Sequence, residues 1–119
     1  FWKNNAAKHD GSAWKATGLF QYHTVSSVFG NAFDPALGSK TLYQALGTGG
    51  GGINALLRHS VAAVLNASHP GVDYPWTTQQ IIDAVKLAVA SGPSAINALA
   101  TKLDSFNNLG AKLDQHGRY

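Results

Sequence analysis

Apolar residues recur along this chain in two different ways, and the change comes near residue 39. From 39 to 116, Ala, Leu, Ile and Val return every three or four positions, the spacing of helices that turn one face to a core. Ile53, Leu57, Val61, Val64 and Leu65 form one such face and predict a helix over about 53–67. His69-Pro70-Gly71 stops it, since a proline cannot continue the backbone ladder. A second stripe, Ile81, Ile82, Val85, Ala88 and Val89, predicts a helix reaching Ser91 and capped by Thr77 or Thr78. Gly92-Pro93 breaks it, and Ser94 is expected to cap a last helix carrying Ile96, Leu99, Leu103 and Phe106 until Gly110. Upstream, Ser39 is expected to cap a helix over 40–46 that Gly47 ends.

Residues 1–38 keep no such period. Phe1, Trp2, Trp14, Phe20, Tyr22, Phe29 and Phe33 are punctuated by Gly11, Gly18, Gly30 and Gly38, which predicts an irregular segment with one short helix at about 24–29. The expected fold class is mainly α, a single domain over 1–119: a compact bundle of about four helices (39–119) closed on one side by the aromatic segment (1–38). Short breaks between the helices favour antiparallel neighbours. The helix at 53–67 is expected at the centre, with only Asn54, Arg58, Ser60 and Asn66 as polar surface.

Composition narrows the roles open to such a domain. Hydrophobic residues make up 45% of the chain and charged ones only 13%, against about a quarter in ordinary domains. The surface must be finished with Asn, Gln, Ser, Thr, Gly and Ala, as suits a domain covered by neighbours and equally an ordinary extracellular one. Nine Lys and Arg stand against six acidic residues, every one Asp. These cations are spread out, which argues against nucleic acid, whose binding needs several on one face. No apolar run approaches the ~20 residues needed to span a bilayer. The lack of cysteine removes disulfides and thiolate chemistry and leaves the redox compartment open. An opening on Phe1-Trp2 rather than Met implies an upstream segment, and a removed signal peptide is the commonest one, so a secreted or cell-surface location is expected.

Candidate chemistry is sparse. Gly47-x-Gly49-x-x-Gly52 matches the dinucleotide fingerprint in form, and Asp73 stands at a suitable distance beyond it. Its context fails, because the preceding 41–46 reads as helix and no parallel strand follows. The glycine run reads instead as a tight helix–helix connection, with weak anion capture at the next helix N-terminus left open. The histidines, His9, His23, His59, His69 and His116, include no pair at i, i+4, and no Glu is present to act as a metalloprotease base. His59 reads as a hydrogen-bonded helix histidine rather than a ligand. His9-Asp10, and His69 with Asp73, need folding to become a site. Ser60 next to His59 points roughly 100° away around a helix, and no Gly-x-Ser-x-Gly elbow is present. No catalytic residue, metal or cofactor is therefore expected. Trp2, Trp14, Tyr22, Tyr43, Tyr74 and Trp76 can stack on sugar rings or on protein, although packing onto the helices is expected for most, with Trp76 the one to stay partly exposed. Asn66-Ala67-Ser68 is a glycosylation acceptor pattern.

The order of short segments is also distinctive. Phe1-Trp2-Lys3-Asn4 is followed by Trp14, then Val28-Phe29-Gly30, then Thr41-Leu42-Tyr43-Gln44-Ala45-Leu46. The glycine run, residues 56–67, His69-Pro70 and Asp73-Tyr74-Pro75 come next. The series resembles poorly characterised modules of secreted and cell-surface microbial proteins that open on G-[FY]-W-K-N-H and carry L-L-R-H-A-V-A-A-L-L-N-A-x-H-P. Asn5 stands where those modules have histidine, so any ligand role of that histidine does not carry over. The resemblance implies export and attachment or assembly at the cell surface. The function expected first is a non-catalytic extracellular structural module that associates with itself or packs at the cell surface, as an oligomer or filament subunit, with Phe1, Trp2, Tyr43, Trp76 and Tyr119 at protein contacts. The alternatives are a carbohydrate- or small-ligand-binding module using Trp and Tyr, and a His/Asp metal-dependent hydrolase.

Overall fold

The computed structural model of the chain describes Trp2 and residues 12–110. Its helices follow in the order α1 (Ser12–Thr17), α2 (Val25–Phe29), α3 (Pro35–Gly38), α4 (Leu42–Leu46), α5 (Ile53–Ser68), α6 (Thr78–Ser91) and α7 (Pro93–Gly110). The mainly α class is as expected, and the only pairing of extended backbone among the described residues is one antiparallel bridge between Thr24 and Thr41.

The helix starts explain themselves locally. Thr24, Thr41 and Thr77 each accept a hydrogen bond from the backbone N–H three residues on, and Gln44 and Gln80 reach back to the threonine N–H to complete capping boxes. Ser39 is therefore not the cap of α4; the Thr41-x-x-Gln44 pair outcompetes it, and Ser39 closes α3 instead. Asp34 caps α3 through its carboxylate, with Pro35 in the first turn, where no N–H is needed. Ser94 is likewise displaced as a cap: α7 begins at Pro93, and Ile96 N–H bonds to the Gly92 carbonyl at 3.0 Å.

α5 lies at the centre, packed against α1, α4, α6 and α7. Leu56, Leu57, Val61, Ala63, Val64 and Leu65 are buried, as expected of the central helix. Its polar positions divide differently from the expectation. Asn54, Arg58 and His59 reach the surface in part, whereas Ser60 and Asn66 are inside. Ser60 and Asn66 have almost no access to solvent, so they must find partners in the protein. Trp14, Val25, Phe29 and Phe33 from the N-terminal part complete the core together with Trp2, as does the buried stripe Ile81, Val85 and Ala88 of α6.

Candidate functional site

A run of hydrogen bonds crosses the middle of the molecule and fixes how its parts meet. Trp14 Nε1–H donates to the Trp2 carbonyl at 3.0 Å, and Trp2 Nε1–H donates to Asn66 Oδ1 at 2.9 Å. Asn66 Nδ2 donates to Asn107 Oδ1 at 3.2 Å, and the Tyr74 hydroxyl donates to the same oxygen at 2.7 Å. Asn107 Nδ2 in turn donates to the His59 carbonyl at 3.2 Å. Burial pushes the Tyr74 hydroxyl well above the ordinary tyrosine range, so it stays protonated and keeps donating. This seam joins α1, α5, α7 and the 69–77 connection. Each of its donor atoms already has a partner within the protein, so the seam holds these elements together.

The glycine loop is organised in the sense opposite to an anion cradle. Arg58 Nη1 donates to the carbonyls of Thr48 at 2.6 Å and Gly50 at 3.3 Å, and Asn54 donates to the Gly49 carbonyl at 3.2 Å. Gly50 and Gly52 have φ of +92° and +59°, which L side chains rarely adopt. Gly49 and Gly51 have neither positive φ nor close neighbours, and nothing in the structure explains them. Helix α4, not a strand, precedes the run.

His59 and Asp104 face each other across α5 and α7, Nδ1 to Oδ1 at 3.8 Å, beside Gly51, Gly52, Asn97 and Thr101. That separation is too long for a hydrogen bond, so the histidine is not bonded through its ring to Asp104. Desolvation pulls its pKa below the ordinary range; Asp104 opposes this and Arg58 adds to it. Among the described residues no group of three or more His, Cys, Asp or Glu converges. His69 is buried, and its Nδ1 accepts from Gly71 N–H at 2.9 Å. His9, Asp10 and His116 lie outside the described residues.

An open groove of about 330 Å³ runs between α6 and α7. Ala84, Leu87, Ala88 and Ser91 line it from α6, and Ala95, Ala98, Leu99 and Lys102 from α7, each set at i, i+3, i+4, i+7. Trp76 closes one end. Its ring meets Phe106 edge-on at 5.2 Å and carries Lys102 Nζ 5.3 Å from its centroid. Leu87 stands 70% exposed at the margin. Sequence reasoning missed this face, because Leu87 belongs to a second, sparser stripe hidden beside the core stripe of α6. The repeat of one spacing in both helices was the available signal.

The expected contact residues are scattered by the fold. Trp2 is 3% exposed and stacks edge-to-face on Trp14, so it is a core residue, not a contact residue; the seam takes its N–H, and its ring lies against Trp14 and His69. Trp76 is partly exposed and Tyr43 exposed, as a contact role requires. Phe1 and Tyr119 lie outside the described residues. Asn66 is 1% exposed with its amide nitrogen on Asn107, so the folded domain leaves no room for a glycan on it. No helix among the described residues is long and apolar enough to cross a membrane.

No curated protein and no solved structure matches the chain. A family model does: that of the Protodermal factor 1 C-terminal domain matches residues 1–113, and the chain belongs to that family.

Proposed function

We propose that this domain is a non-catalytic extracellular structural module whose α6/α7 face packs against a second copy of itself. The observation that carries the reading is a knob beside a hole. Leu87 projects 70% exposed next to a groove floored by alanines. A surface holding both is self-complementary, so a twofold axis lets each copy place its Leu87 in the other's groove. Apolar burial at that contact, with Trp76 at its rim, supplies the driving force. The extracellular placement rests on the resemblance to exported modules and on the low charge of the chain.

Sedimentation velocity over a concentration series tests it. The wild-type chain is expected to shift from monomer towards dimer or larger species as concentration rises. Leu87→Asp is expected to remain monomeric while its stability stays within about 0.5 kcal/mol of wild type, as for other exposed positions. A wild-type chain that stays monomeric throughout the series overturns the reading.

A further inference from the structure

The groove between α6 and α7 carries one charge that its own chain leaves unmatched. Lys102 is the only charged residue lining it, and among the described residues it makes no ion pair. Asp83, one turn before Leu87 on α6, is exposed and makes none either; Gln79 donates to its Oδ1 at 2.8 Å. On the reading that this face meets a second copy, we infer that the twofold axis runs parallel to α6 and α7 and sets Asp83 of each copy against Lys102 of the other.

The directions and levels of the two helices carry the argument. Trp76, just ahead of α6, touches Lys102 and Phe106 beyond the middle of α7, so the helices run antiparallel from their break at Gly92. With a rise of about 1.5 Å per residue, Leu87 lies about 7–8 Å from Gly92, between the levels of Ala95 and Ala98 on α7. Asp83 lies about 13–14 Å from the break and Lys102 about 15 Å, so these two stand at one level. An axis parallel to the helices keeps every level. The partner's Leu87 then enters between Ala95 and Ala98, and the partner's Asp83 arrives beside Lys102. An axis across the helices reverses the levels. It brings the partner's Asp83 to about the level of Gly92, where the groove has no cation.

The angular positions agree. At about 100° per residue, Ala84, Ala88 and Ser91 turn from Leu87 towards the groove, whereas Asp83 turns about 40° the other way, away from its own α7. A half-turn about the parallel axis points that side of α6 at the partner's α7, where Lys102 stands. The pair fixes register and orientation, because charges at a rim select the partner's pose while the apolar groups beside them hold it. By symmetry each dimer makes the pair twice.

The experiment is sedimentation velocity of the full chain as wild type, Lys102→Glu, Asp83→Lys, the double variant, and an equal mixture of the two single variants. Each single variant sets like charges against each other at both pairs and is expected to raise the dimer dissociation constant at least about tenfold. Lys102→Glu also brings the net charge of +3 nearer to zero, which by itself favours association, so its weakening points to the pair. The double variant is expected within about threefold of wild type. The mixture is expected to form a heterodimer, since both of its pairs then join opposite charges. If wild type associates but either single variant associates equally well, or the double variant or the mixture stays monomeric, the register is overturned and the Leu87 contact stands. A wild-type chain that stays monomeric overturns both.

Discussion

Asn66 on α5 and Leu87 on α6 stand on adjoining helices and occupy each other's customary places. The amide is 1% exposed and the isobutyl group 70% exposed. An amide in the core costs free energy unless its hydrogen bonds are made, and a large aliphatic group in water costs free energy unless something covers it. The protein answers the first problem internally. Trp2 and Asn107 serve the two ends of the Asn66 side chain, and among the described residues no buried side-chain nitrogen or oxygen lacks a partner. It leaves the second problem open. The contrast teaches where to look in each layer: the buried polar seam specifies how the helices meet, and the exposed apolar margin is free to meet something else.

The sharpest way to break this contrast is to delete both residues' distinguishing groups and compare stability. Asn66→Ala leaves the Trp2 indole N–H and an Asn107 oxygen to repair their hydrogen bonding inside the core, and is expected to cost about 3 kcal/mol. That is the range of an ordinary core truncation such as Leu57→Ala, about 2–5 kcal/mol. Leu87→Asp, by contrast, should leave the urea midpoint nearly unmoved. If Asn66→Ala unfolds at the wild-type midpoint, the seam is ornamental and the specification comes from apolar packing alone.

Much of this was legible in the chain. The Ile53, Leu57, Val61 stripe placed α5 and its central role, because period and propensity agree there with the final packing. The start of α6 was placed at Thr77 or Thr78, and the box that Thr77 forms with Gln80 decides for Thr77. The start of α4 was misplaced at Ser39 because a lone serine was weighed without the box that Thr41 forms with Gln44. The N-terminal part was read with one short helix where there are three, and α3 was missed although Asp34 before Pro35, a capping carboxylate ahead of a first-turn proline, was a signal for it. The sites were less legible for a different reason. Asn66 looks like surface from its type, and only the partners brought from 64 residues before and 41 after make it a core residue.

A middle-sized effect is expected where neither burial nor a contact is at stake. Gly52 opens α5 with φ +59° and ψ −132°, and a Cβ there would touch nothing within 4 Å. Gly52→Ala should therefore cost about 1–2 kcal/mol through backbone strain alone. Gly51→Ala has no positive φ and equal room, and should fall within about 0.5 kcal/mol of wild type. Thermal melts of the two variants sharpen the contrast by giving the cost of conformation without contact. Equal melting temperatures would mean that the loop relaxes freely and that Arg58, gripping the Thr48 and Gly50 carbonyls, does not fix it.

The smallest effect belongs to His59, which sits between the two layers. Its carbonyl receives the last bond of the seam, while its ring lies half-buried opposite Asp104. Desolvation lowers the folded-state pKa below the ordinary value of 6.5, so the unfolded chain takes up the proton first as the solution is acidified. The stability tied to the neutral ring is thus complete above about pH 6.5 and is lost as pH falls through the lower folded value. His59→Gln has no such proton to gain, and its melting temperature should fall less than that of wild type between about pH 7 and pH 5. Asp104→Asn removes the influence that holds the pKa up, so the folded value drops further and the acid loss should be larger than in wild type. The order of the three slopes is the test. If Asp104→Asn falls no faster than wild type, the carboxylate 3.8 Å away is too well solvated to act on the ring, and His59 belongs with the surface rather than with the seam.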